Sequence, residues 1–193
     1  MIALPPLAEV TPEQLLGIPE GDRYELLDGQ LVERDMGAES SWIATEISRR
    51  LGNFCSERKI AWLLGADASY QCFRDRPDRV RRPDVSLIRF GRLADEKLPR
   101  GHIPITPDLV VEVVSPNDLF ESVEAKMVEF LNAGVPVGWL LMPNLRMIAI
   151  YRPDGSTRLR EDDQLQGEGP LEGFSFRVGG VFPPQPPAQS GAD

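Results

Sequence analysis

The chain contains at its centre the run Pro107-Asp108-Leu109-Val110-Val111-Glu112-Val113-Val114-Ser115-Pro116. A short apolar run bounded by prolines and rich in valine predicts a buried β-strand. One carboxylate, Glu112, lies in the middle of this strand. A lone carboxylate is costly to bury unless it is protonated, paired or bound to a cation. Glu112 is therefore the first candidate functional residue.

A second carboxylate lies upstream in a similar setting, in the run Arg82-Pro83-Asp84-Val85-Ser86-Leu87-Ile88. Asp84 opens the strand that this run predicts. If the two strands are neighbours, Asp84 and Glu112 can face the same side of the sheet and share a cation. Oxygen ligands favour Mg²⁺ or Mn²⁺, which also bind substrate phosphate. The carbonyl of Val113 is a candidate further ligand.

A predicted helix, from about Leu119 to Asn132, places a lysine beside these acids. Apolar residues recur at helical spacing and form a face that packs on the sheet: Leu119, Val123, Met127 and Phe130. Lys126 borders this face, so its side chain reaches either solvent or the buried acids. If the side chain of Lys126 reaches the buried acids, it would orient or deprotonate an attacking water and neutralise charge on a phosphate.

The other patterns predict an α/β fold, a mixed β-sheet flanked by helices with an N-terminal β-hairpin extension. Asp28-Gly29 between two apolar runs predicts the hairpin over Tyr24–Glu33. Thr11-Pro12 predicts a short helix, and Ser40 or Ser41 is the predicted cap of a longer helix that ends near Cys55. The predicted strands are Ala61–Leu64, Ala68–Phe73, Val85–Phe90, Leu109–Val114, Val137–Leu141 and Met147–Tyr151.

The length of 193 residues is enough for one domain with a hydrophobic core. We expect a single domain over residues 1–182, in which residues 171–181 return to the core. A Pro-rich disordered tail is expected over residues 183–193.

The composition limits the classes of function. A net charge of −9 counts against broad, non-specific nucleic-acid binding. A single histidine, His102, excludes a multi-histidine metal centre. The segment 74–82 predicts a solvated hairpin tip, with a local basic strip as the alternative, because it holds five arginines: Arg74, Arg76, Arg79, Arg81 and Arg82.

Cysteine spacing and hydropathy indicate the cellular compartment of the protein. Cys55 and Cys72 fit neither a disulfide framework nor a zinc site, so we expect buried thiols in a reducing compartment. The N-terminus lacks the features of a signal peptide, and the longest apolar segment is too short to span a bilayer. We therefore expect a cytoplasmic protein that does not bind membranes.

Taken together, these motifs resemble those of the PD-(D/E)XK nuclease superfamily and, within it, the Uma-type restriction endonucleases of bacteria. The resemblance extends from Tyr24 to about Phe182. The matching pieces are Tyr24-Glu25-Leu26-Leu27-Asp28-Gly29, Pro83-Asp84-Val85-Ser86, the run 107–116, Lys126, Ala133-Gly134-Val135 with Trp139, and Tyr151-Arg152-Pro153-Asp154-Gly155.

The resemblance implies a restriction-endonuclease-like core and a metal-dependent enzyme that hydrolyses phosphodiester bonds of DNA. Pro83-Asp84 looks like the PD element of the superfamily, and Glu112 looks like its second acid. Val114 stands where the usual lysine would follow, so Lys126 resembles the lysine that has moved to the next helix in some members. Glu25 matches a recurrent family acid that would add a metal or water contact; the alternative is an exposed hairpin charge.

Two departures from the family pattern leave other interpretations open. Ser40, Ser41 and Trp42 stand where members often carry a histidine, and Met142 stands where many have an aspartate. One alternative is a binding or regulatory module that keeps the nuclease fold with weak or lost catalysis. Another is a homo-oligomeric scaffold whose acids form structural ion pairs. Because restriction-type folds commonly cut two strands as dimers, we expect a homodimer that binds DNA.

Overall fold

The computed structural model describes residues 9–35 and 37–184. The predicted disordered tail therefore lies, from residue 185 on, outside the described residues. The α-helices are α1 (Pro12–Gly17), α2 (Ala38–Arg58) and α3 (Phe120–Asn132). The strands are β1 (Tyr24–Leu27), β2 (Gln30–Glu33), β3 (Ala61–Gly65), β4 (Val85–Arg89), β5 (Leu109–Val113), β6 (Gly138–Met142), β7 (Met147–Arg152), β8 (Gly155–Leu159), β9 (Gln164–Gln166) and β10 (Ser175–Arg177).

A six-stranded mixed sheet forms the centre of the fold, in the order β3-β4-β5-β6-β7-β8. β5 and β6 are parallel and are joined through α3, whereas the other neighbouring pairs are antiparallel. The predicted mixed sheet flanked by helices is confirmed. All five residues of β5 are buried, as its apolar run predicts.

The predicted N-terminal hairpin is also present. β1 and β2 pair antiparallel, with Leu27 opposite Gln30. Asp28 and Gly29 have φ of 50° and 77°, the left-handed backbone that a tight two-residue turn of this kind requires. The hairpin docks on the segment before β4, because Leu26 and Val80 exchange two backbone hydrogen bonds of 2.9 Å.

Two hydrophobic layers cover the two faces of the sheet. On one face α2 packs through Ile43, Ile47 and Leu51, together with aromatic residues from the C-terminal part of the chain. On the other face α3 packs through Val123, Met127 and Phe130. Along each strand, alternate side chains point into one layer and then the other, as the pleat of a β-strand requires.

The contact between α3 and β6 is close. A Cβ at Gly138 would lie 2.0 Å from the sulfur of Met127 and 3.3 Å from Cγ2 of Val110. Because Gly138 has no side chain, Met127 of α3 can lie directly against β6. This contact determines the distance between α3 and the sheet, and therefore the position of Lys126.

Several local predictions were wrong. The predicted strand Ala68–Phe73 is reduced to isolated bridges of Tyr70 with Arg81 and Ile103. Helix α2 begins at Ala38 after Gly37, not after a serine cap, and it continues to Arg58. Strands β8 and β9 lie in a polar segment for which no strand was predicted. The predicted return of residues 171–181 to the core is confirmed, and this segment contains β10.

The prediction of a solvated arginine-rich hairpin tip was wrong for three of its residues. Arg79, Arg81 and Arg82 are buried, whereas Arg74 and Arg76 are exposed. The buried guanidinium groups are paired with acids or backbone carbonyls, so they do not form the alternative basic strip either. These three arginines are buried because their partners come from distant parts of the chain. The local sequence around residue 80 gives no information about those partners.

Trp42 is 44% exposed and is not part of the core, unlike Trp139, which is buried. Cys55 and Cys72 are buried free thiols, as predicted. In the two described ranges we find no helix with the length and hydropathy needed to cross a bilayer.

Candidate active site

The sheet brings the two predicted acids together. β4 and β5 pair antiparallel with Val85 opposite Val111. Extending this register by one residue sets Asp84 across from Glu112. Both residues have the strand parity of Ser86 and Val110, so they face the layer that α3 covers. Directly opposed residues on one face are close enough to act on a shared ligand.

Asp84 lies at the mouth of this site, with its side chain 24% exposed. Its Oδ2 accepts a hydrogen bond of 2.8 Å from the amide of Val113. Its Oδ1 lies 3.3 Å from Nη2 of Arg34. The carboxylate is therefore held from two sides, and four lone-pair directions leave it able to bind a further ligand.

Glu112 lies deeper, with its side chain only 4% exposed, and Lys126 is its cationic partner. Nζ of Lys126 is 2.9 Å from Oε1 and 3.1 Å from Oε2 of Glu112, and the hydrogen-bond geometry favours Oε2. Within the described residues Oε1 is a buried oxygen without a hydrogen-bond partner. A buried acceptor of this kind is costly unless something else binds it.

Lys126 also contacts the hairpin. Its Nζ lies 2.8 Å from Oε1 of Glu25 and donates to the carbonyl of Arg82 at 2.7 Å. Oε2 of Glu25 accepts a hydrogen bond of 2.7 Å from Arg81, and Oε1 accepts one of 2.8 Å from the amide of Arg82. Glu25 is thus buried, and the alternative of an exposed hairpin charge was wrong.

Burial and neighbouring charges set the ionisation of this cluster. Burial raises the pKa of Glu112 to about 8, helped by the negative charges of Asp84 and Glu25 and opposed by Lys126. Burial also acts to raise the pKa of Glu25, but Lys126 and Arg81 outweigh it and lower that pKa to about 2. The pKa of Lys126 is raised, because Glu112 and Glu25 outweigh its burial. Lys126 is therefore an ammonium at neutral pH.

The ion pairs continue from the site to the hairpin turn. Arg81 bridges Glu25 and Glu129, and Arg79 bridges Glu129 and Asp28. This alternating series ties β1, the segment before β4 and helix α3 together. It fixes the position of Glu25 from the side opposite to Lys126.

The donor set is suited to a hard divalent cation. Asp84 and Glu112 offer carboxylate oxygens, one of them the buried Oε1 that lacks a partner. Over residues 9–35 and 37–184 no group of three or more His, Cys, Asp or Glu side chains is arranged to hold a metal ion. Two carboxylates with waters and substrate oxygens are the ligand set that Mg²⁺ commonly uses.

The nearby surface cleft is not the centre of this chemistry. A cleft of about 530 Å³ lies between α1 and residues 98–103, and Arg82 is among the residues that line it. Neither Asp84, Glu112 nor Lys126 lines that cleft. We therefore assign the candidate chemistry to the buried charge cluster.

The structure thus brings Asp84, Glu112, Lys126 and Glu25 together, with the backbone of Val113 beside Asp84. Two arginines that contact this group were not predicted as site residues. Arg34 contacts Asp84, and Arg81 contacts Glu25. Arg34 stands in no local motif, and Arg81 is one of five arginines in the segment 74–82, so only their spatial neighbours distinguish these two residues.

A family model described as Uma2, putative restriction endonuclease, matches residues 12–179. The chain belongs to this family. The match to the Uma2 model includes all four of the side chains that converge at the site. Restriction-endonuclease-like families generally use divalent metals, and Uma2 membership together with the fold supports a nuclease, a hydrolase acting on nucleic acid.

A solved structure has the same fold. It is the crystal structure of a putative nuclease belonging to DUF820 from Anabaena variabilis ATCC 29413. The TM-score is 0.76 at 21% sequence identity, and the alignment covers 90% of this chain and 97% of that chain. At this identity the similarity establishes the fold. No functionally curated protein matches the chain.

Proposed function

We propose that this protein is a Mg²⁺- or Mn²⁺-dependent endonuclease that hydrolyses phosphodiester bonds of DNA. The observation that carries the proposal is the cluster in which Glu112 of β5 pairs with Lys126 of α3, while Asp84, directly before β4, is in register with Glu112. Oε1 of Glu112 supports it, because this buried oxygen lies 2.9 Å from the Lys126 ammonium but accepts no well-directed hydrogen bond among the described residues. A divalent cation would satisfy that oxygen.

Asp84, Glu112 and the carbonyl of Val113 would hold the cation. The amide of Val113 points to Asp84, and the N–H and C=O of one strand residue point to the same edge. The Val113 carbonyl is therefore directed to the edge of β5 at which Asp84 lies. When bound, the ion would lower the pKa of a water molecule and stabilise negative charge on the phosphate.

In this proposal Lys126 does not act as a general base. Because the ionised Glu25 lies 2.8 Å from Nζ and keeps Lys126 protonated, Lys126 donates hydrogen bonds and cannot accept a proton. We assign it the orientation of the attacking water and the neutralisation of charge on the phosphate. Both carboxylate oxygens of Glu25 already accept hydrogen bonds from protein donors. We therefore assign Glu25 the positioning of Lys126 rather than a contact with the cation.

The test is cleavage of DNA by the purified protein in the presence of Mg²⁺ or Mn²⁺. We expect Asp84→Asn and Glu112→Gln, which keep the shape of each side chain, to lower the rate of cleavage at least about a hundredfold. Asp108→Asn is a matched control. Asp108 is a buried acid next to β5, but its carboxylate pairs with Arg89 and Arg92, away from the site.

Full cleavage by both Asp84→Asn and Glu112→Gln, with a fold verified by circular dichroism, would refute the site. Binding of Mn²⁺ and DNA without cleavage would favour the alternative of a binding module with weak or lost catalysis. The acidic net charge of −9 is the feature that favours this alternative.

We further propose that the protein acts as a homodimer in the cytoplasm. Two copies would supply one site for each strand of a duplex, and buried free thiols at Cys55 and Cys72 suit a reducing compartment. A monomeric mass in multi-angle light scattering would contradict the dimer.

A further inference from the structure

Arg34 reaches from the hairpin to the mouth of the candidate site. It follows β2 directly, and its Nη1 donates to the carbonyl of Ala66 at 3.0 Å. Its Nη2 lies 3.3 Å from Oδ1 of Asp84. The Arg34 side chain is 15% exposed, so this guanidinium is partly shielded from solvent where it pairs with Asp84.

Arg34 retains hydrogen-bonding capacity. A guanidinium has five N–H donors, and within the described part of the chain the acceptors of Arg34 are the oxygens of Ala66 and Asp84. Arg82 is a neighbour, because the guanidiniums of Arg34 and Arg82 donate to the carbonyls of two consecutive residues, Ala66 and Asp67. Arg82 donates its hydrogen bonds to backbone carbonyls. Two neighbouring guanidiniums favour the binding of an anion such as a phosphate.

Arg34 and a divalent cation would act on the same oxygen. Oδ2 of Asp84 is engaged by the amide of Val113, whereas Oδ1 faces Arg34. A positive charge beside that oxygen repels a cation that approaches it. The guanidinium therefore opposes metal binding as long as no anion balances it.

We propose that Arg34 binds a phosphate of the nucleic-acid backbone and thereby couples substrate binding to metal binding. This inference rests on the proposed function. In the substrate-free protein, Arg34 pairs with Asp84 and weakens binding of the ion. The substrate phosphate accepts hydrogen bonds from the remaining donors and offsets the positive charge, which strengthens binding of the ion. By linkage, the ion strengthens substrate binding by the same factor.

Calorimetric titration of Mn²⁺ tests the coupling. Each protein is titrated alone and with a short DNA duplex whose phosphorothioate linkages resist hydrolysis. For the unmodified protein the duplex should lower the Kd for Mn²⁺ at least about fivefold. Arg34→Gln should bind Mn²⁺ alone about fivefold more tightly than the unmodified protein, and the duplex should then change its Kd less than about twofold. Arg34→Lys keeps the charge, so its affinity for Mn²⁺ alone should stay unchanged.

Arg23→Gln is the matched control, because Arg23 precedes the same hairpin and pairs with Glu20 and Glu33 rather than with Asp84. It should behave as the unmodified protein does. A duplex effect in Arg34→Gln equal to that of the unmodified protein would overturn this inference and leave the proposed function intact. If the unmodified protein binds no Mn²⁺ with the duplex present, both the proposed function and this inference fail.

Discussion

Glu25 illustrates how pairing offsets the cost of a buried charge. The carboxylate is almost fully buried, yet Lys126, Arg81 and a backbone amide surround it. Their charges lower its pKa from 4.5 to about 2 although burial acts in the opposite direction. The ionised form of Glu25 is thus favoured in the folded protein.

This lowered pKa has a consequence for acid stability. A carboxylate whose pKa is lower in the folded than in the unfolded state stabilises the fold above its unfolded pKa and loses that contribution as the pH falls through the folded value. The free energy of unfolding should therefore decrease between about pH 5 and pH 2. At pH 7, Glu25→Gln should lower it by about 3–5 kcal/mol, since Lys126 and Arg81 lose a buried partner.

Urea denaturation from pH 7 down to pH 3 measures this effect. The difference between Glu25→Gln and the unmodified protein should shrink as the pH falls. Glu33→Gln is the control, because Glu33 forms an exposed pair with Arg23 and should change stability by less than about 1 kcal/mol. A difference for Glu25→Gln that is independent of pH would contradict the assignment.

Individual residues were predictable when their own environment was unusual. Glu112 lies within a strongly apolar run and Asp84 directly precedes one, so the burial of Glu112 and the place of Asp84 at the start of a core strand follow from the local pattern. The arginines near residue 80 are the opposite case. Their local sequence is polar, and their burial depends on acids that come from β1 and α3.

Helix α3 positions Lys126 through its packing on β6. The contact between Met127 and Gly138 leaves no space for a side chain at position 138. Met127 immediately follows Lys126 in the helix, so this contact also determines how the lysine approaches the two glutamates.

Gly138→Ala should therefore lower the free energy of unfolding by about 1–3 kcal/mol, because the new methyl group must displace Met127 or the helix. Thermal unfolding followed by circular dichroism measures the effect. Gly65→Ala is the control at the end of β3, where a Cβ would meet nothing within 4 Å. Equal effects of the two substitutions would show that the close packing of α3 is not the cause.

Helices and strands with strong periodic patterns were predicted well. The apolar face of α3, the Asp-Gly hairpin and the valine-rich β5 all follow from local spacing. The start of α2 was missed, because Gly37 precedes the helix without a side-chain cap. β8 was missed because its first four residues are exposed and contain no large apolar side chain.

The aromatic core and the candidate active site lie on opposite faces of the central sheet. The α2 layer contains the aromatic cluster of Trp139, Phe174 and Phe176, whose ring centroids lie 5.6–6.2 Å apart. The charged cluster lies in the opposite layer, beneath α3. Distant sites without shared partners usually contribute additively to stability.

Phe174→Ala should lower the free energy of unfolding by about 3–5 kcal/mol, because a large buried ring is lost. The affinity for Mn²⁺ per folded molecule should not change, because the ring belongs to the α2 layer. Leu145→Ala is the control at a residue that is 64% exposed, and it should change stability by less than about 0.5 kcal/mol. Weaker Mn²⁺ binding by folded Phe174→Ala would show that the two layers are coupled.

The order of apolar and polar residues along the chain was enough to predict the mixed sheet, the hairpin, the packed face of α3 and the two acids on core strands. These features follow from local periodicity and from the cost of burying charge. The partners of the charged side chains were not predictable in the same way. Glu25 meets Lys126, and Arg34 meets Asp84, across long separations in the chain. Such pairs form only when the hairpin and α3 pack on the sheet. This packing depends on the shapes of whole surfaces, so it cannot be predicted from a local sequence pattern.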